Sequence, residues 1–142
     1  MIVVIDTNAL LQAAAHSNPA RPILEAWFHG EFTWAVSTEI LLEYREIIEA
    51  HGGQARWQRV SAMMDFVQAI RPGSFHHVSP TYRFQTIPAC PDDDKFAYCA
   101  ITAAVDWIIT EDRHFQALSG SGYKPQPITP EEFIARYRGV HV

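Results

Sequence analysis

The amino-acid sequence predicts an α/β protein, a three-layer α/β/α sandwich around a central parallel sheet. Short apolar runs alternate with helical patterns along the chain, as strands joined by crossover helices do. The runs IVVI and WIIT show no apolar/polar alternation, as expected of strands covered on both faces. The length of 142 residues is close to the usual size of one domain, so a single unit over 1–142 with one core is expected.

The elements follow in order. Ile2 to Ile5 reads as a strand and Thr7 to Ala15 as a helix, broken by HSNPARP with its Ser, Asn and two prolines. A second helix fits Ile23 to Phe28, ending near Gly30, and FTWAVS is the next β-prone run. Ser37 and Thr38 are N-cap candidates for a helix reaching His51, where Gly52 and Gly53 stop it. Another helix spans Gln54 to Ile70 and ends at RPG, and FHHVS is a third strand. PTYRFQTIPACP, with three prolines, reads as a loop before a helix over Asp93 to Val105. After the strand WIIT, Asp112 can cap a short helix through Leu118, closed by SGSG, and QPI is a last strand. Thr129, Pro130 and Glu132 form a capping box with proline at the first helical position, opening a helix to Arg138. No internal repeat, low-complexity tract or second domain is apparent.

Composition narrows the function classes. At 48% hydrophobic residues the chain has ample core material and does not read as a disordered tail. No apolar run approaches the roughly 18 residues of a membrane span. The N-terminus has neither the basic start nor the small-residue cleavage site of a signal peptide, so cytoplasmic residence is expected. Cys90 and Cys99 read as free thiols, since two cysteines make no disulfide framework and their spacing is not that of a metal knuckle. A net charge of −5 argues against bulk electrostatic attraction to nucleic acid, unless part of the negative charge is local and neutralised by a metal.

The placement of the acids then becomes the question. Ligands of open parallel sheets bind beyond the carboxyl ends of the strands. Asp6 directly follows the first strand and Asp112 follows WIIT by two positions, so two strands deliver carboxylates to one edge. In STEILLEYREIIEA, Ile40, Leu41, Tyr44, Ile47 and Ile48 form one apolar stripe. Glu43 is the glutamate closest to that stripe, while Leu42 falls on the polar side. In PDDDKFAYCAITAAV the inward face is Ala97, Ala100, Ile101 and Ala104. Asp93 and Asp94 both project near it, and Asp92 points away. Each acid alone has an ordinary explanation as a helix cap or solvated residue. Several converging at one sheet edge would repel, raising their pKa values or calling for a cation. An all-oxygen donor set suits Mg2+ or Mn2+, which bind phosphate alongside.

Other chemistries are poorly supplied. His76 and His77 are adjacent and on a strand point to opposite faces. There is no G-x-S-x-G elbow and no glycine-rich phosphate loop. Trp27, Trp34, Trp57 and Trp107 read as core or interface.

The segments VVIDTNAL, STEILLEY, DDDKFAYCAI and WIITEDRHF, in this order, resemble a PIN domain, the small metal-dependent ribonuclease fold. The resemblance runs from Ile2 to about Phe115, with ITPEEF also typical, and is strongest to the VapC-like toxins of toxin–antitoxin pairs. It implies acidic positions, catalytic and metal-holding, at Asp6, Glu43, Asp94 and Asp112. It favours Asp94 over Asp93, which stays as a supporting candidate. It matches the family's polar residue near the last acid to Thr110 and its first motif to Asn8. Glu111 departs from the pattern, since an uncharged residue is more usual there. The implied activity is metal-dependent endoribonucleolytic hydrolysis leaving 5′-phosphate and 3′-hydroxyl ends. Implied partners are an antitoxin protein, able to place an Arg against the carboxylates, and a second copy in a homodimer.

RNA reaching an acidic pocket needs basic or stacking groups around it. Arg45, Arg56, Arg59, Arg83, Lys95 and Arg113 are candidates, with Trp57 for stacking. A haloacid-dehalogenase-like phosphatase is the rival enzyme, but its second Asp would fall at Asn8. A non-catalytic interaction module, whose acids only cap helices, is the rival of another class, and metal titration separates the two.

Overall fold

The computed structural model describes residues 1–15, 17–79, 94–119, 122 and 124–141. The loop expected over 80–91, with Arg83 and Cys90, lies outside them, as does Asp93. Among the described residues five parallel strands form one sheet: β1 (Ile2–Ile5), β2 (Thr33–Val36), β3 (Phe75–His77), β4 (Trp107–Ile109) and β5 (Gln126–Ile128). Their spatial order is β3-β2-β1-β4-β5. In β1, Val3, Val4 and Ile5 are all fully buried. Successive strand residues point to opposite faces, so both faces of the sheet centre are covered.

The helices are α1 (Thr7–Ala14), α2 (Pro22–Phe28), α3 (Thr38–Ile70), α4 (Asp94–Thr102) and α5 (Pro130–His141), with a short 3-10 helix over Arg113–Leu118. α1 packs on α2 and α3, α2 on α5, and α4 on β1 and β4. Ser37 caps α3 as its sequence suggests, its side chain accepting from the Ile40 N–H at 3.3 Å. Thr129 likewise accepts from the Glu132 N–H at 3.1 Å before α5. Two helices expected on either side of Gly52 and Gly53 form one element with a break at Gly53, where φ is 80° and ψ 172°. That backbone region is open essentially to glycine alone.

Some elements differ from expectation: α1 ends at Ala14 rather than Ala15, and α5 runs to His141 rather than Arg138. α2 begins at Pro22, one residue early, because proline fits the first turn of a helix. α4 stops at Thr102 instead of Val105: Ala104 turns left-handed (φ 49°), and the Val105 N–H closes on the Ala100 carbonyl at 3.0 Å. The helix after Asp112 is 3-10 rather than α.

Trp27, Trp34, Tyr44, Phe96 and Phe115 are the largest fully buried side chains. Trp27 and Trp34 meet edge to face with centroids 5.1 Å apart, and the Trp27 indole N–H donates to the Ser74 carbonyl at 2.9 Å. Trp57 and Trp107 lie at the core margin, the latter under the Arg136 guanidinium at 5.0 Å. Cys99 is a free, buried thiol. Among the described residues no helix is long and apolar enough to cross a membrane.

Candidate active site

From β1 the chain builds the sheet outward in one direction through β2 and β3, then returns to place β4 and β5 on the other side. The order therefore reverses between β1 and β4, and a crevice opens beyond the carboxyl ends of these two strands. Asp6 and Thr110 stand there, one residue past β1 and β4. The ladder is carried into the crevice by the Asp6 N–H, which donates to the Ile109 carbonyl at 2.9 Å. Both side chains are buried, Asp6 at 5% and Thr110 at 3% exposure.

Their burial is compatible with their polarity because they bond to each other. Thr110 Oγ1 donates to Asp6 Oδ2 at 2.8 Å and accepts the Asp112 N–H at 2.9 Å. One hydroxyl, using its donor and an acceptor site, thus links two strand ends and a following loop. Asp112 is half-buried. Its Oδ1 accepts the His114 N–H at 2.9 Å, the N-cap role open to it from sequence, and lies 3.1 Å from His114 Nδ1.

Glu43 reaches the same region from the first turns of α3. Its Oε2 accepts from the Thr7 hydroxyl, and its Oε1 lies 2.8 Å from Lys95 Nζ. The next residue, Tyr44, braces the strand end: its hydroxyl donates to the Ile5 carbonyl and accepts from the Trp34 indole N–H at 3.3 Å. Burial pushes the Tyr44 phenol well above its ordinary pKa, outweighing the Trp34 hydrogen bond; Cys99, Asp6 and Glu43 push in the same direction. The phenol stays protonated and remains a donor.

Asn8, exposed on α1, faces the crevice rim with Leu11, Gln12, Glu111 and Asp112, around a polar groove of about 340 Å³. The Gln12 amide donates to Glu111 at 3.0 Å. Asp94 opens α4, while its side chain lies outside the described residues. Among the described residues no three His, Cys, Asp or Glu side chains are gathered closely enough to hold a metal ion. The available donors, Asp6, Glu43 and Asp112, are carboxylates held by hydroxyls, an amide N–H and one ammonium. That oxygen-only chemistry fits a hard divalent cation.

The basic candidates divide. Lys95 is at Glu43, and Arg113 is exposed beside Asp112. Arg45 pairs with Glu49 at 3.1 Å on the surface of α3. Arg56 and Arg59 are absent from the crevice and line a separate groove with Arg21. Trp57 borders a mainly apolar groove with Leu41, Met64, Asp65 and Phe75, which none of Asp6, Glu43 and Asp112 lines.

A family model described as the PIN domain matches residues 2–114, most of the chain. This chain is a PIN domain. As a family, PIN domains are nucleases that generally use divalent metal ions. The PAE2754 protein of Pyrobaculum aerophilum has this fold, with a TM-score of 0.59 at 19% identity over 98% of this PIN domain and 96% of that chain. VapBC2 from Rickettsia felis, solved bound to a DNA fragment from their promoter, gives 0.60 at 14% identity, covering 91% and 98%. The PIN domain of T. brucei RRP44 gives 0.55 at 12% identity, covering 99% and 82%. At these identities the likeness is one of fold. No curated protein sequence matches the chain.

Sequence reading missed three contributors: Thr7 as the hydroxyl on Glu43, Lys95 as its counter-charge, and Tyr44 as the brace on Ile5. Thr7 sits between the two singled-out residues Asp6 and Asn8, and a hydroxyl at that position was the available signal.

Proposed function

We propose that this PIN domain is a metal-dependent endoribonuclease and the toxin component of a toxin–antitoxin pair. The hydrogen-bonded chain Asp6–Thr110–Asp112 at the switch point of the sheet carries the reading. A buried carboxylate held by a dedicated hydroxyl is costly to fold around, and here it faces the crevice where ligands of such sheets bind. Asp6, Asp94 and Glu43 are the residues assigned to hold Mg2+ or Mn2+, with Asp112 completing the set. The ion would supply an acidified water and neutralise charge building on the phosphate oxygens.

The chain's own residues hold this arrangement in place. Thr110 fixes the orientation of the Asp6 carboxylate and, through the Asp112 N–H, the start of the next loop. Thr7 holds one oxygen of Glu43, and Lys95 balances its charge at the other, where a cation would compete with it. Tyr44 anchors the strand end that carries Asp6. We assign the domain to residues 1–142 and to the cytoplasm, with RNA as substrate and a basic antitoxin segment and a second copy as partners.

The test is Asp6→Asn assayed for cleavage of single-stranded and structured RNA with Mg2+ or Mn2+. Cleavage is expected to fall by about a hundredfold or more, as loss of a metal ligand should exceed the 10–100-fold typical of its supporting partners. Unchanged cleavage would overturn the proposal.

A further inference from the structure

Three of the eleven basic side chains of this acidic chain line one groove separate from the one at the carboxylates. Arg21, Arg56 and Arg59 line a cavity of about 520 Å³ over an apolar floor of Leu24, Val60 and Met63, and among the described residues no carboxylate lines it. The groove lies where the C-terminal end of α1 meets the start of α2 and the break in α3. The three arginines differ in their surroundings. Arg21 Nη1 is 3.4 Å from the Ala14 carbonyl. The stem of Arg56 folds over Gly52 so closely that a Cβ there would lie 2.1 Å from Arg56 Cδ. Arg59 is exposed. Among the described residues neither Arg56 nor Arg59 has an ion pair or hydrogen bond. Like charges sharing one concave surface repel, and focus the field on an incoming anion.

The groove and the crevice are separate, but one helix, α1, borders both. α1 carries Asn8, Leu11 and Gln12 at the crevice rim and ends in Ala14 at the arginine groove, with its C-cap Ala15 beside it. Six residues of helical rise separate Asn8 from Ala14, about 9 Å, a distance that a few nucleotides of single strand can span. Every residue of α1 between the two ends is small or uncharged. The guanidinium fork matches phosphate oxygens in two-point contact.

We infer that Arg21, Arg56 and Arg59 form a phosphate-binding track that holds single-stranded RNA along α1, beside the carboxylate crevice. The inference rests on the ribonuclease reading above and names where that substrate's backbone lies. A carboxylate-rich protein segment is the other polyanion with matching charge. The shared helix favours RNA, because it leads the bound strand to the crevice.

The experiment measures binding of a labelled oligouridine to the full chain by fluorescence anisotropy, in EDTA to prevent cleavage, across a salt series. Each lost single-strand phosphate contact lowers the slope of log K against log salt by about 0.7, so R21Q/R56Q/R59Q should lower it by about 2. The double variant R56Q/R59Q, which leaves the Ala14 contact intact, should lower it by about 1.4 and serves if the triple variant does not fold. The control K124Q/R136Q, on residues outside both grooves, should leave the slope unchanged. An unchanged slope in the arginine variants, or no binding by the wild type, overturns the track. So does displacement of the RNA by polyglutamate at a lower concentration than by unlabelled oligouridine, which would assign the groove to an acidic protein. Cleavage with Mg2+ or Mn2+ separates the two readings. Arginine-dependent binding without any cleavage by the wild type would sink the nuclease and keep the track; normal cleavage with an unchanged slope would do the reverse.

Discussion

Replacing Tyr44 by Phe tests how the fold anchors the strand end that carries Asp6. The ring is fully buried, and the substitution removes one oxygen while keeping the aromatic volume. Two partners lose their bond: the Ile5 carbonyl and, at 3.3 Å, the Trp34 indole N–H. A buried polar group left unsatisfied costs about 1–3 kcal/mol. The Ile5 bond contributes most of this, because the Trp34 contact is long. The expected loss is therefore about 2 kcal/mol. At about 2–4 °C per kcal/mol for a chain of this size, Tm should fall by about 4–8 °C. Urea unfolding followed by tryptophan fluorescence should show a lower midpoint with the same m-value, since no element is lost. A loss below about 0.5 kcal/mol, the range of surface substitutions, would refute the argument that this hydroxyl satisfies the strand end.

Three other outcomes follow from the same geometry. Thr110→Val removes both the donor to Asp6 and the acceptor for the Asp112 N–H; cleavage or Mn2+ affinity should fall by about 10–100-fold, and wild-type values would remove Thr110 from the site. Lys95→Met frees Glu43 from a part-buried ion pair of about 1 kcal/mol, so Mn2+ should bind about fivefold tighter by isothermal titration calorimetry; weaker binding would mean that Lys95 supports the metal site rather than competing with it. Burial pushes the Cys99 thiol from its ordinary 9.0 to about 12. The unfolded chain then releases this proton first as pH rises, so stability is full below about 9 and declines between 9 and 12. Cys99→Ala should flatten the dependence of Tm on pH across that window, and an unaltered profile would show that the thiol does not titrate on unfolding.

Much of the sheet and of the crevice was legible because it depends on local pattern. IVVI and WIIT are buried on both faces, Ser37 and Thr129 cap as their spacing suggests, and Asp6 falls one residue past a strand in any parallel arrangement. Glu43, at the margin of an apolar stripe, is indeed half-buried. The end of α4 was not legible, since a left-handed turn is usually marked by glycine and here falls on Ala104. Pairings across long separations were equally hidden: Thr7 with Glu43 and Lys95 with Glu43 depend on how α3 and α4 lie against β1. The arginines show the same limit. Arg56 and Arg59 stood out by charge alone, but their company with Arg21, in a groove separate from the crevice, arises only when α1, α2 and α3 are packed.

The bond between Thr110 and Asp6 joins residues 104 positions apart, and its consequence concerns timing. During translation β1 is made well before β4, its neighbour on one side. Contacts of such long sequence separation also form slowly. A chain that ends before Thr110 therefore has Asp6 without its fixing hydroxyl.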